Sequence, residues 1–139
     1  MPYDRTVTVK GPFDQVQQNV RSALADQGFG VLTEIDVQAT LKAKLDHDME
    51  PYLILGACSP PLAHRALEVD RSIGLLLPCN IVVRADGDEV VVQAFDPDAM
   101  VNLTGLDAIA PVAEEATRRL DATLAAVEAA GRNRQDGSA

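Results

Sequence analysis

Two cysteines, Cys58 and Cys79, together with His64 and Met100, are the soft and nucleophilic side chains of this sequence whose spacing invites chemistry. Cys58 stands in Gly56-Ala57-Cys58-Ser59-Pro60-Pro61-Leu62-Ala63-His64, between an apolar run and a proline-initiated helix that Ser59 is suited to cap. A thiol at a helix start faces backbone N–H groups and the positive end of the helix dipole, which favour the thiolate and hence a nucleophile or metal ligand. Gly56 has no side chain, so a backbone or a ligand could approach the strand end there. Cys79 follows Pro78 in Leu75-Leu76-Leu77-Pro78-Cys79-Asn80, at the start of another strand. His64 lies four residues after Pro60 and four before Glu68, on the flank opposite Ala63, Ala66 and Leu67. It completes a set of two cysteines and a histidine, with Met100 as a further sulfur, that would serve as a soft-metal site, zinc for example, or as a thiol-activating site. No Cys-x-x-Cys or His-x-x-x-His spacing of the zinc type occurs. The competing reading makes each cysteine a small buried hydrophobe and His64 a surface residue.

Other candidates carry less. His47 sits in Asp46-His47-Asp48-Met49-Glu50, a composition that describes any solvated turn. The paired carboxylates Glu114 and Glu115, and Asp86 and Asp88, fall at a helix start and in a turn, where each has a local structural role. No strand is followed by Gly-x-Gly-x-x-Gly, and the P-loop and Gly-x-Ser-x-Gly patterns are also missing, so neither a nucleotide by a standard motif nor an α/β-hydrolase elbow is expected.

The elements that must position these residues follow from apolar period. Tyr3 to Lys10 alternates as a strand. After Gly11-Pro12, residues Phe13, Val16, Val20 and Leu24 recur at helical spacing until Gly28. Phe29, Val31, Thr33 and Ile35 alternate again, and Asp36 is placed to cap a short helix carrying Val37, Leu41 and Leu45 on one side. The nearly unbroken apolar run from Tyr52 to Cys58 predicts a central strand buried on both faces. A short helix brings Ala63, Ala66 and Leu67 inward, and Arg71 to Leu76 leads to a strand from Cys79 through Arg84. Asp86-Gly87 signals a hairpin to Glu89 through Phe95. A looser stretch with Met100 and Gly105 precedes a long helix from Pro111, with Val112, Ala116, Leu120, Leu124 and Val127 on one face. The order is β-α-β-α-β-α-β-β-α, an α+β arrangement with helices packed on one sheet. Whether the strands bearing Cys58 and Cys79 run antiparallel, placing both thiols at one sheet end, or parallel, placing them a strand length apart, stays open.

With 139 residues, 47% apolar and 24% charged, the chain fits one globular domain, residues 1–131, and a disordered tail, residues 132–139. Its net charge of -9 and scattered Lys and Arg argue against nucleic acid as a partner. No apolar run approaches the roughly 20 residues that span a bilayer. The opening residues show no secretory pattern, so a cytoplasmic protein with reduced thiols is expected.

Three stretches resemble the uncharacterised family called domain of unknown function 302: Gly28 to Asp36, Tyr52 to Leu67, and Gly74 to Val83. The likeness covers most of the chain, and it implies an α+β fold with a mainly antiparallel sheet and a tendency to form homodimers, but no activity. Where this chain has Ser59 the family commonly has Asn, and both residue types cap helices. The acidic insert Asp46 to Glu50 is less typical, which ranks His64 above His47. Three readings follow. The first is a homodimeric, non-catalytic module that binds a small thiol-reactive ligand or soft metal through Gly56, Cys58, Ser59, Pro60, His64, Cys79 and Asn80. The second is a thiol enzyme or sulfur-transfer protein with Cys58 as nucleophile, His64 as base and Cys79 as resolving thiol. The third is a structural or interaction domain with core cysteines.

Overall fold

The computed structural model describes residues 3–137, with side chains through Arg132. Its elements are β1 (Asp4–Lys10), α1 (Phe13–Asp26), β2 (Gly30–Asp36), α2 (Val37–Leu45), β3 (Tyr52–Cys58), α3 (Pro60–Val69), a 3-10 segment (Arg71–Leu76), β4 (Cys79–Asp86), β5 (Glu89–Phe95), α4 (Asp98–Thr104), a 3-10 turn (Asp107–Ile109) and α5 (Ala110–Gly137). The α+β order read from the sequence stands, and α4 fills the stretch that had no assigned element. Helix α5 runs past Arg132, where the sequence reading began a tail, and residues 138–139 lie outside the described part. Among the described residues no helix is long and apolar enough to cross a membrane.

The strands form one sheet in the order β1-β5-β4-β3-β2, with every neighbouring pair antiparallel. The question left open for β3 and β4 is thereby settled: Ala57 pairs with Cys79, and both cysteines lie at the same sheet end. One face carries Val9, Leu53, Leu55, Ala57, Ile81, Val83, Val90, Val92 and Ala94 into a core shared with Val16, Val20 and Leu24 of α1 and Leu120, Leu124 and Val127 of α5. This is the period-2 face of the strands meeting the 3.6-period faces of two helices, the arrangement that removes most apolar area from water. The tight start of β2 follows from Gly28, whose φ of 82° lets the chain leave α1 while the Phe29 N–H donates to the Leu24 carbonyl at 2.9 Å. Phe29 then enters the core directly instead of opening the strand.

A second, smaller core gathers Leu62 and Ala66 of α3, Ile73, Met100 of α4, Ile109, and Val112 and Ala116 of α5. It lies off the sheet end where β3 stops and β4 starts, because α3 and α4 both leave from strand ends on that side.

Two features of the edge go beyond what the apolar pattern says. β2 is an edge strand, nearly all exposed and bulged between Val31 and Thr33, so its alternation does not mark a covered face. Helix α2 buries none of its residues, and Leu45 is 70% exposed, so the line Val37, Leu41, Leu45 is not a core face. The Asp36 cap is as expected, with the Ala39 N–H donating to Asp36 Oδ1 at 2.9 Å. Lys42 closes the following loop by pairing with Asp46 and Asp48, each at 2.9 Å.

Candidate functional site

At the seam between the two cores lies a partly open cleft bordered by Phe29, Ala57, Cys58, Ser59, Leu62, Ala63, Ala66, Leu77, Pro78, Cys79, Pro97, Met100, Val112, Ala113 and Ala116. Its cavity is about 30 Å³, room for roughly two water-sized groups. Five of the lining positions are alanines, from β3, α3 and α5, and their short side chains leave the space. Among the described residues no charged side chain borders the cleft.

Of the residues singled out by sequence, Cys58, Ser59, Cys79 and Met100 meet here. Register explains the two thiols. Cys79 is directly opposite Ala57 and shares its inward face, whereas Cys58, one residue on, takes the other side of the pleat as the strand gives way to α3. Both are free cysteines. Burial, and secondly the neighbouring Cys58, push the Cys79 thiol up to about 11 from 9.0, so Cys79 is uncharged at neutral pH. It is a thiol of the wall. Both cysteines are half-buried and both border the cleft; Cys58 differs in standing at the end of β3, immediately before α3.

Ser59 occupies the N-cap position of α3 in extended conformation, yet its side chain makes no capping hydrogen bond. Pro60 and Pro61 hold the first two helical positions and have no N–H to offer, and the Ala63 N–H makes the first helical bond to the Ser59 carbonyl at 2.9 Å, so the Leu62 N–H is the one donor left for a cap and Ser59 Oγ does not take it. The same prolines correct the expectation for Cys58, because a helix start stripped of two donors offers a thiolate little beyond the Leu62 N–H. Ser59 Oγ is left buried, at a residue only 4% exposed, with no hydrogen-bond partner among the described residues.

The remaining predicted residues lie elsewhere. Gly56 is not open to a ligand: a Cβ there would stand 2.1 Å from Thr33 Oγ1 and 2.8 Å from Pro78 Cγ, so the space is already filled from β2 and from the approach to β4. His64 points outward, its side chain 74% exposed and its Nε2 3.4 Å from Glu68 Oε1, so it neither borders the cleft nor serves Cys58 as a base. Pro60 starts α3 without bordering the cleft. Asn80 is exposed and borders a groove with Tyr3, Tyr52, Val82, Gln93 and Phe95, on the sheet face away from α1 and α5. Among the described residues no group of three or more His, Cys, Asp or Glu stands where it could hold a metal ion. The metal set of Cys58, His64, Cys79 and Met100 is therefore not assembled, and a zinc ion lacks its ligands here. Phe29, Leu77, Pro97 and Val112 were missed as lining residues, since each reads from sequence as core or loop.

The model of the family described as domain of unknown function DUF302 matches residues 5–127. A crystal structure of an uncharacterised conserved DUF302 protein from Bacillus stearothermophilus is similar to this chain with a TM-score of 0.85 at 27% identity, covering 91% of this chain and 99% of its own. No curated protein matches the chain.

Proposed function

The chain belongs to the DUF302 family, and on that footing we propose that it is a non-catalytic binding module whose cleft presents Cys58 to a small thiol-reactive ligand. The observation that carries this reading is the meeting of Cys58, Ser59, Cys79 and Met100 around one uncharged cavity at the seam of two cores. A pre-formed apolar concavity with a few polar or reactive groups is the usual form of a ligand site. Cys79, held neutral, and Met100 give the cavity a polarizable sulfur wall, and Cys58 is the group that makes the bond.

The module works as a homodimer in the cytoplasm. Two unpaired thiols at neighbouring strand ends suit a reducing compartment. The sheet face away from α1 and α5 supports pairing with a second copy, for its residues Tyr52, Ile54 and Val82 belong to neither core while Ile35 beside them is 49% exposed.

Site-resolved alkylation of the native protein, followed by peptide mass spectrometry between pH 6 and 10, tests the thiol assignment. Cys58 should be modified while Cys79 stays protected. Equal modification of both, or protection of both until unfolding, would remove the reading.

A further inference from the structure

Resting on the reading of Cys58 as the ligand-facing thiol, we propose that the ligand class is a small uncharged carbonyl compound, an amide, ester or ketone with a leaving group on the carbon beside the carbonyl, whose oxygen accepts a hydrogen bond from Ser59 Oγ. The hydroxyl of Ser59 is buried, borders the cleft and has no partner among the described residues. A buried hydroxyl without a partner is costly, so a position of this kind calls for a group that arrives with an acceptor or donor. The capping bond that would have satisfied it is not made: Pro60 and Pro61 have no N–H, and Ser59 Oγ does not accept from the Leu62 N–H that remains. Among the described residues nothing charged, and so no cation, borders the cavity, and a carboxylate or phosphate entering here would lose its hydration with no counter-charge. A carbonyl oxygen, by contrast, needs one donor. Ser59 supplies it at the same cleft that Cys58 borders, and the leaving group on the neighbouring carbon departs with its electron pair as the Cys58 Sγ–carbon bond forms and the thiol proton passes to solvent. The cavity of about 30 Å³ limits the buried part to a few heavy atoms, the size of a carboxamide or acetyl group. Ser59 is thus a specificity residue for the ligand and Cys58 the bond-forming one.

Three alkylating probes separate these roles: iodoacetamide, iodoacetate and iodoethane, each with its rate at Cys58 divided by its rate at the thiol of glutathione. In each reaction the Cys58 Sγ–carbon bond forms, the carbon–iodine bond breaks, iodide leaves with the electron pair and the thiol proton passes to buffer. Salt of about 0.5 M screens the acidic surface, so that the comparison reads the cleft and not the net charge. In the wild-type protein the normalised rate for iodoacetamide should exceed that for iodoacetate by at least about tenfold. Ser59→Ala should lower the iodoacetamide rate by about 2–10-fold, the effect of one neutral hydrogen bond, and leave iodoethane unchanged. A structural role for Ser59 would move both uncharged probes together, and that result, or equal normalised rates for all three probes, overturns the proposal while leaving Cys58 as the ligand thiol. Failure of Cys58 to react with any probe in the folded protein overturns both.

Discussion

Gly56→Ala tests how the thiol end of β3 is built. An added Cβ meets Thr33 Oγ1 at 2.1 Å and Pro78 Cγ at 2.8 Å. Neither partner moves without cost: Thr33 belongs to β2, paired across Gly56, and Pro78 is a ring fixed just before β4. Overpacking of this kind costs about 1–3 kcal/mol, against which replacing glycine in a strand gains about 0.5–1 kcal/mol in backbone entropy. The net loss is about 1–2 kcal/mol, a fall in Tm of roughly 3–10 °C for a domain of this size. Urea denaturation of Gly56→Ala, Thr33→Ala and the double variant gives the coupling directly. Thr33→Ala alone, on an exposed edge strand, should change stability by no more than about 0.5 kcal/mol. The double variant should recover at least about 0.5 kcal/mol relative to the sum of the two, with the Pro78 contact remaining. A neutral Gly56→Ala, or strictly additive effects, would refute the packing argument and return Gly56 to the ligand site that its lack of a side chain first suggested.

Three further outcomes are expected. The Cys79 thiol, raised to about 11 in the folded protein from 9.0, holds more protons folded than unfolded between those values. Its contribution of about 2–3 kcal/mol is therefore fully present below pH 9 and is lost as pH rises towards 11, and Cys79→Ala should flatten the slope of stability against pH in that window. Leu120→Ala, which empties a fully buried position of α5 against the sheet, should cost about 2–5 kcal/mol in chemical denaturation, and a loss below about 1 kcal/mol would contradict the assignment of the main core. Val82→Lys, on the sheet face away from the helices, should leave the circular dichroism spectrum unchanged and convert a dimer to a monomer in sedimentation; a wild-type monomer would end the dimer reading.

What the sequence revealed of the fold is tied to patterns a short window carries. The helical spacing of Val16, Val20 and Leu24, the Asp-Gly turn before Glu89 and the alternation of Tyr3 to Lys10 each name an element without reference to the rest of the chain. Helix α4 escaped because Asp98 to Thr104 is seven residues long and finds its support in a distant core through Met100. Helix α2 was given an apolar side because Val37, Leu41 and Leu45 have the right period, but period does not say whether anything packs against it. The site divides the same way. Cys58 and Ser59 were placed correctly at a strand-to-helix junction, because that junction is local. The inference of a donor-rich helix start failed on Pro60 and Pro61, whose missing N–H groups were visible in the sequence and leave the Leu62 N–H as the one donor there, which Ser59 does not take. The cleft itself was illegible, for it arises where alanines of β3, α3 and α5 come together across more than fifty residues of chain.

In the proposed binding module Cys58 acts through the cleft and not merely from the surface. Ala63 borders the cavity on α3 and is half-buried, so Ala63→Leu places added carbon in a space of about 30 Å³ with a partly open side to accommodate it. The decisive measurement is the rate of Cys58 alkylation by iodoacetamide in native wild-type and Ala63→Leu protein of matched Tm. A fall of about tenfold or more in the variant, the equivalent of about 1.4 kcal/mol of lost access, is the predicted result. Identical rates would contradict the account, since they would show Cys58 reacting from open solvent with the cleft playing no part.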